Sequence, residues 1–408
     1  VKLRAFLALL LIASCSRPAP QQAAAPAHTL NKLPTDVVNE RSSLLDVARG
    51  ATIVSRTGEN MLITSPMSTI DGEIGTFWTP PPHDYPQSIV IALGAPSRID
   101  RVGFRSLTGE HYDANHVTFE RSMDGDNWQP LASMTSRKID AAQWSDVAPA
   151  EAEFLRVTIP DAAFPDGDAR IQSLLAHGTE LAAPKNASID GCWSINGGAA
   201  KFVQRGARVT GVVEQDKLPL FLAGGFNGRI GRFNWIRGND FGYTILTVSP
   251  DGKHLSALNW HEEAIQLFTA APWFGDRGDC VASAPRDDVP IALLRRAGRV
   301  ALFGMQFDAN GNLLADASHD ELQLLAAIIR GVGVPIRIVA REFRQSDARL
   351  NKQIAEREIA SLRKAVAPLG TGLGRFEFVA AGSDSPRNVP ESDAARAIYS
   401  SVDVEVRR

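Results

Sequence analysis

Three cysteines, two aromatic clusters and a few opposed charges are the residues of this chain that could carry chemistry. Cys15 follows Lys2, Arg4, the apolar run Ala5 to Ile12 and the small residues Ala13 and Ser14. That is the three-part layout of a secretion signal, with the cysteine where cleavage is expected. An apolar run that short does not span a hydrocarbon core of about 30 Å, so the segment is expected to be removed. Cys192 and Cys280 lie at the two edges of one apparent domain. In an oxidising compartment they are expected to pair, which removes on the order of 4 to 5 kcal/mol of unfolded-chain entropy in the simple loop-closure picture. Without a CxxC or nearby paired histidines they do not build a zinc site.

The aromatic clusters suggest binding. Phe77, Trp78, His83 and Tyr85 surround Pro80-Pro81-Pro82, and an aromatic ring offers a flat apolar face on which a sugar can stack. The opposing expectation is that Trp78 plugs a core while His83 and Tyr85 stay exposed. Trp235, Asn259, Trp260 and His261 present the same choice between the mouth of a ligand cup and a filled interior. Catalytic signatures are missing from the sequence: there is no Gly-x-Ser-x-Gly elbow, no phosphate loop and no His-Glu-x-x-His. His261-Glu262-Glu263 starts the last of these but has no second histidine. Asp308 and Asp316 read as turn residues before a helix. The chain is expected not to be an enzyme and to need no cofactor.

The elements that must position these residues fall into three modules. A chain of 408 residues exceeds one core, while 44% hydrophobic and 22% charged residues describe ordinary globular protein. A net charge of −3 gives no electrostatic case for nucleic acid. After residues 1–15, a Pro-, Ala- and Gln-rich stretch over 16–40 cannot bury enough apolar surface to fold and reads as a tether. Polar breaks at Glu180 to Ser188 and Ser283 to Pro290 then set domains at 41–180, 189–282 and 296–408.

The first domain alternates apolar runs with turn signals, which predicts an antiparallel β-sandwich with strands at Ser88–Leu93, Arg101–Phe104, His116–Arg121 and Phe154–Ile159. Ile70-Asp71-Gly72, Thr76, Trp78, Phe119 to Trp128 and Phe154-Leu155-Arg156-Val157 resemble, in order, the discoidin or coagulation-factor type C family. The resemblance implies a jelly-roll sandwich without catalytic residues, whose loops at one end bind glycans, lipids or proteins. It makes Trp78, His83 and Tyr85 candidate ligand residues. It also makes Asp71 a candidate calcium ligand, although Gln172 and Ser173 stand where calcium-holding relatives place a glutamate.

The middle domain, from Cys192-Trp193 to Leu255 through Trp260, consists of short glycine-bounded strands that predict an antiparallel meander or small barrel. It looks slightly like avidin or lipocalin barrels.

The last domain reads as strand Val300–Phe307, helix Asp320–Gly331, strand Ile336–Val339, helix Asp347–Leu369, then strands Phe376–Ala380 and Val402–Val406. This α/β, βαβαβ order, with Phe307-Asp308, Asn351, Ala365-Val366 and Gly382, resembles the peptidoglycan-binding OmpA-like domain. In that family an aspartate and an arginine clasp the diaminopimelate of the wall peptide, with the arginine fork on its carboxylate. Alignment on Asn351 puts Phe343 at the aspartate and Glu358 at the arginine. Glu342 and Arg357, each one residue away, could restore the pair, but one helical position turns a side chain by about 100°.

Ile12-Ala13-Ser14-Cys15 resembles the lipobox of bacterial lipoproteins, which implies a diacylated Cys15; Ser16 favours the outer membrane, on either its periplasmic or surface face. Together these readings predict a non-catalytic envelope lipoprotein that binds glycan or cell wall. The alternative is an assembly or adhesion scaffold for another envelope protein whose last domain no longer holds peptidoglycan.

Overall fold

The computed structural model describes residues 43–58, 64–73, 75–82, 84–109, 112–163, 167–215, 217–262, 271–343, 347–369, 376–384 and 392–407. Cys15, the tether and His83 lie outside the described residues.

The first module is a β-sandwich of β1 (Thr52–Arg56), β2 (Gln87–Ser106), β3 (His116–Ser122), β4 (Gln129–Thr135), β5 (Gln143–Ile159) and β6 (Ile171–Glu180). The runs Ser88–Leu93 and Arg101–Phe104, expected as separate strands, are one continuous strand, β2. Its partner register against β5 breaks between Ala92 and Ser97 and again between Ile99 and Arg101. Gly94 and Pro96 sit in the first break, where one residue without a side chain and one without an N–H let the strand bend out of its ladder. The first half of β2 pairs with β1 and the end of β5, and the second half with the start of β5 and with β6. Both long strands thereby pass from one leaf to the other. Ile89, Ile91, Phe104, Phe119 and Leu155 fill the space between the leaves, each worth about 1.5 to 3 kcal/mol by burial.

The middle module is a closed antiparallel barrel. Its strands are β7 (Gly191–Ile195), β8 (Gly198–Arg205), β9 (Arg208–Glu214), β10 (Leu220–Phe226), β11 (Ile230–Arg237), β12 (Asp240–Val248), β13 (His254–His261) and β14 (Ala271–Arg277). Each strand pairs with the next, and β14 closes on β7 through Gly275–Ile195, Asp276–Ser194 and Arg277–Trp193. Alternate residues Trp193, Phe202, Phe233, Leu246 and Leu255 point inward as the barrel core. Ile189 and Trp193 close one end, the indole N–H donating to the Ile189 carbonyl at 2.9 Å. The expected disulfide between Cys192 and Cys280 clamps this same end.

The third module begins earlier than its first expected strand. Helix α1 (Val289–Ala297) starts inside the polar break, with Pro290 in its first turn and Gly298 as a left-handed C-cap; proline is tolerated there because that N–H has no helical partner. The expected strand Val300–Phe307 shrinks to β15 (Arg299–Ala301). Beyond it the chain turns at 303–304, with the Met305 N–H on the Leu302 carbonyl at 3.1 Å, and turns again where Asp308 accepts from the N–H groups of Asn310 (2.8 Å) and Asn312 (2.9 Å). Then follow α2 (His319–Gly331), β16 (Ile336–Arg341), α3 (Ala348–Val366), β17 (Phe376–Gly382), α4 (Asp393–Tyr399) and β18 (Ser401–Val406). The sheet order is β15-β18-β16-β17, with β16 and β17 parallel and the other pairs antiparallel. Helix α4 was not legible in the sequence.

The barrel is the hub. The Thr247 hydroxyl donates to the Ala51 carbonyl (2.9 Å), and the Ile53 N–H donates to the Ser256 hydroxyl (3.1 Å), which fixes β1 across the outside of β12 and β13. On the third module, Asn234 donates to the Ala301 carbonyl at 2.8 Å, and Arg232 donates to the carbonyls of Ala397 (2.9 Å) and Ser400 (2.7 Å). Gly225 has no alternative residue here, since a Cβ would stand 2.1 Å from the Phe303 carbonyl oxygen. Tyr243, Trp260, Phe303 and Ile398 join the sandwich core in one apolar cluster.

Candidate functional site

At the end of the sandwich where β2 both begins and ends, described loop residues bring Phe77, Tyr85, Tyr112, Asp168 and Arg170 together. The loops are tied by main-chain bonds from Arg170 N–H to the Tyr112 carbonyl, and from Leu107 N–H to the Arg170 carbonyl, both 2.9 Å. The Arg170 guanidinium lies 3.5 Å from the Tyr112 ring centroid and 5.2 Å from that of Phe77. Its 3.4 Å approach to the Asp168 carboxylate is a loose pair. The guanidinium over these rings places N–H donors beside apolar faces, its Nε and Nη2 lying 3.4 and 3.5 Å from Asp168 Oδ2. All these residues are half-buried. Phe77 and Tyr85 were visible as a sequence cluster. Tyr112 and Arg170 were not, because the loops that carry them are distant in the chain and only the strand pairing joins them.

The other sandwich candidates have structural roles. Trp78 is 1% exposed; its indole donates to the Gly58 carbonyl at 2.9 Å, and its N–H to Ile171 at 2.7 Å. It plugs the core and offers no face to a ligand. The Tyr85 hydroxyl accepts from the Ala169 N–H at 2.9 Å, and burial pushes its pKa up. Asp71 is used inside its own turn, accepting from Glu73 N–H at 2.9 Å and the Thr76 hydroxyl at 2.8 Å. Burial pushes the Asp71 pKa well up, and Glu73 and Asp46 add to the rise. Calcium does not suit Asp71: both its oxygens are engaged within the turn, burial with Glu73 and Asp46 nearby makes it favour its protonated form, and Gln172 and Ser173 add no charge.

In the barrel, Trp235, Asn259 and His261 do converge at the end opposite the disulfide, joined by Trp273, Gln215 and Arg237 around a cavity of about 290 Å³. His261 stands edge-on to Trp235, with ring centroids 5.0 Å apart. Trp260 does not belong to this group. It alternates to the outer face of β13 and packs in the shared cluster with the sandwich, the consequence of a period of two along a strand.

In the third module the proposed anion and cation do not converge. Glu342 is 0% exposed and accepts from the Ser400 hydroxyl at 3.1 Å. Arg357 is exposed on α3, on the side of Asp308, whose pKa it helps to lower after the Asn312 and Asn310 hydrogen bonds. Asn351 is buried in the first turn of α3. The residue that shares a cavity with Glu342 is Glu358, 4% exposed; that cavity, of about 270 Å³, is also lined by Gln306, Ser400 and the barrel's Arg232. The helical rotation between positions 357 and 358 decides this outcome.

With this geometry in hand, residues 51–173 match the F5/8 type C domain family. No curated protein matches the chain. Among solved structures, the C-terminal domain of a chitobiase from Bacteroides fragilis is 27% identical, over 33% of this chain and 96% of its own, with a TM-score of 0.30. A family 32 carbohydrate-binding module from Streptococcus pneumoniae is 16% identical, over 34% of this chain and 100% of its own (TM-score 0.30). A family 32 module from C. perfringens, in complex with galactose, is 20% identical, over 31% and 98% (TM-score 0.27).

Proposed function

We propose that this chain is a non-catalytic cell-envelope protein that binds glycan through the loop end of its F5/8 type C sandwich and is held to the outer membrane by a lipid on Cys15. The observation that carries the reading is the family match over residues 51–173, whose loop end displays Arg170 stacked against Tyr112 and Phe77. Half-exposed rings with a planar donor fork suit a sugar, which presents an apolar C–H face and a rim of hydroxyls.

The third module takes the role of a folded interaction domain. Its βαβαβ order and sheet order support an OmpA-like ancestry, and its charges argue against the wall-peptide grip. Position 358, where the family places the arginine, carries a glutamate that lines one cavity with Glu342, so no guanidinium stands there to hold the carboxylate of the wall peptide.

The test is a glycan array probed with the mature protein, alongside retention on purified sacculi and metabolic labelling with a fatty acid. Binding to a defined set of sugars that Arg170→Ala removes is expected, with sacculus retention, if any, unaffected by deleting residues 296–408. A blank array, together with a protein partner captured by crosslinking in cells, would replace this reading with the scaffold one. An unlabelled mature protein would remove the anchor.

A further inference from the structure

The barrel closes on itself through its shortest ladder. β14 and β7 pair from Gly275–Ile195 to Arg277–Trp193, whereas β11 and β12 pair from Ile230–Thr247 to Arg237–Asp240 and every other seam also runs longer than the closing one. A short ladder opens first when a fold fluctuates, because little backbone bonding is lost. Two fastenings reinforce it. The Arg277 guanidinium lies 4.4 Å from the Trp193 ring centroid and donates to the carbonyls of Gly252 (2.7 Å), Asp190 (2.6 Å) and Ser188. The second fastening is covalent: Cys192, adjacent to Trp193, is bonded to Cys280, just past Arg277, with the two Cα atoms 5.4 Å apart. Beyond Cys280 the chain crosses the outside of β8 and β9 on its way to α1. The Cys280 sulfur lies 3.2 Å from the Ala200 carbonyl oxygen, the Ser283 N–H donates to Glu214 at 2.9 Å, and Arg208 donates to the Asp287 carbonyl at 3.2 Å. These last two bonds are exposed and therefore weak. Val281 is 95% exposed, and both cysteines are only half-buried.

We propose that the Cys192–Cys280 bond is a redox-sensitive latch: a dithiol reductant opens it in the folded chain, the β14–β7 seam then parts, and residues 278–288 come off β8 and β9. In the exchange, a thiolate of the reductant attacks the Cys280 sulfur beside the exposed Val281, and Cys192 leaves as a thiolate that takes up a proton. The second thiol of the reductant then displaces Cys280, so two electrons and two protons pass to the cysteines and the reductant becomes a disulfide. Residues 278–288 are the covalent link from the barrel to the third module. Their release loosens that link, while Asn234 and Arg232 still hold the third module through the Ala301 and Ala397 carbonyls.

The latch involves no residue of the sandwich loops, so it stands or falls apart from the glycan reading. Amide hydrogen exchange of the full mature chain is followed before and after about 10 mM dithiothreitol in native buffer. Exchange over 191–195 and 275–288 should rise at least about tenfold, with less than about twofold change in β10 to β12 and in the sandwich. Reoxidation by glutathione disulfide should restore protection. Cys192→Ala combined with Cys280→Ala should exchange at the seam as the reduced chain does and ignore the reductant. Because reduction is applied to the folded protein, the test does not depend on that variant folding. A bond that resists the reductant, a seam that keeps its protection once both thiols are free, or a loss of protection spread evenly over all strands would each overturn the proposal.

Discussion

Arg229, in the turn between β10 and β11, donates to the main-chain carbonyl of Leu93 in the sandwich at 2.9 Å, and to that of Gly50 at 3.2 Å. It is buried, and burial pulls its pKa down to about 10, against the opposing pull of Glu153 and Asp251. At neutral pH a charged guanidinium therefore stands inside an interface between modules, held by two main-chain carbonyls.

Arg229→Ala should uncouple sandwich from barrel. The Gly50 carbonyl keeps the Thr52 hydroxyl at 3.3 Å, while the Leu93 carbonyl loses the donor at 2.9 Å; an unmet buried carbonyl costs about 1 to 3 kcal/mol, so a loss of that order is expected. Calorimetry should resolve a separate, lower transition for the sandwich; an unchanged single transition would show that apolar packing alone joins the modules.

Asp46 predicts a pH dependence. Burial, then the charge of Asp393, raises its pKa to about 8 from 3.8. The folded chain therefore holds a proton that the unfolded chain has released between about pH 4 and pH 8, and this group's contribution to stability falls as pH rises through that window. Glu321, raised to about 7 by burial, acts in the same direction. Asp46→Asn keeps the acceptor for the Ala48 N–H and removes the titration. It should leave stability unchanged near pH 4 and raise it by on the order of 2 kcal/mol at pH 8, read by urea unfolding at both values.

Arg341 joins Asp403 at 2.6 Å and Glu405 at 2.7 Å beneath the third-module sheet. Asp403 also lies 3.7 Å from Arg299, and Glu405 2.8 Å from Arg337, so removing Arg341 costs less than the roughly 3 to 5 kcal/mol of breaking an isolated buried pair. Arg341→Met should lower the melting temperature of the third module by several degrees, while Asp403→Asn in the same background should restore part of it. Additive losses in this cycle would contradict the pairing.

Arg170→Ala should weaken sugar binding at least about tenfold while changing stability by less than about 1 kcal/mol, since its pair with Asp168 is loose and partly exposed. Tyr112→Leu should act likewise. Comparison of array signal with thermal melts separates loss of binding from loss of fold.

Much of the local structure was legible because it follows from short-range rules. Alternation gave β3, where Val117 and Phe119 are buried, and the apolar faces gave α2 and α3. The order of motifs from Asp71 to Val157 pointed to the sandwich family that residues 51–173 match. The failures also have local causes: a turn at 303–304, with the Met305 N–H on the Leu302 carbonyl at 3.1 Å, ends β15 at Ala301, and two expected strands are one bent strand, β2, with Gly94 and Pro96 at the bend. Side-chain direction was harder still. Trp260 faces outward and Trp235 inward, and a shift of one residue along a strand decides which.

What the sequence determined by itself was the discoidin-like sandwich, the β-rich middle barrel and the pairing of Cys192 with Cys280, since periodicity, turn residues and ordered motifs are properties of neighbouring positions. Only the tertiary structure decided which residues share a site. Arg170 meets Tyr112, Glu342 and Glu358 line one cavity, and Arg237 and Trp273 line another, across strands and helices, and Arg229 binds the modules that the polar breaks separate in sequence. Those meetings depend on register, helical rotation and buried carbonyls in need of donors, none of which a single segment of chain specifies.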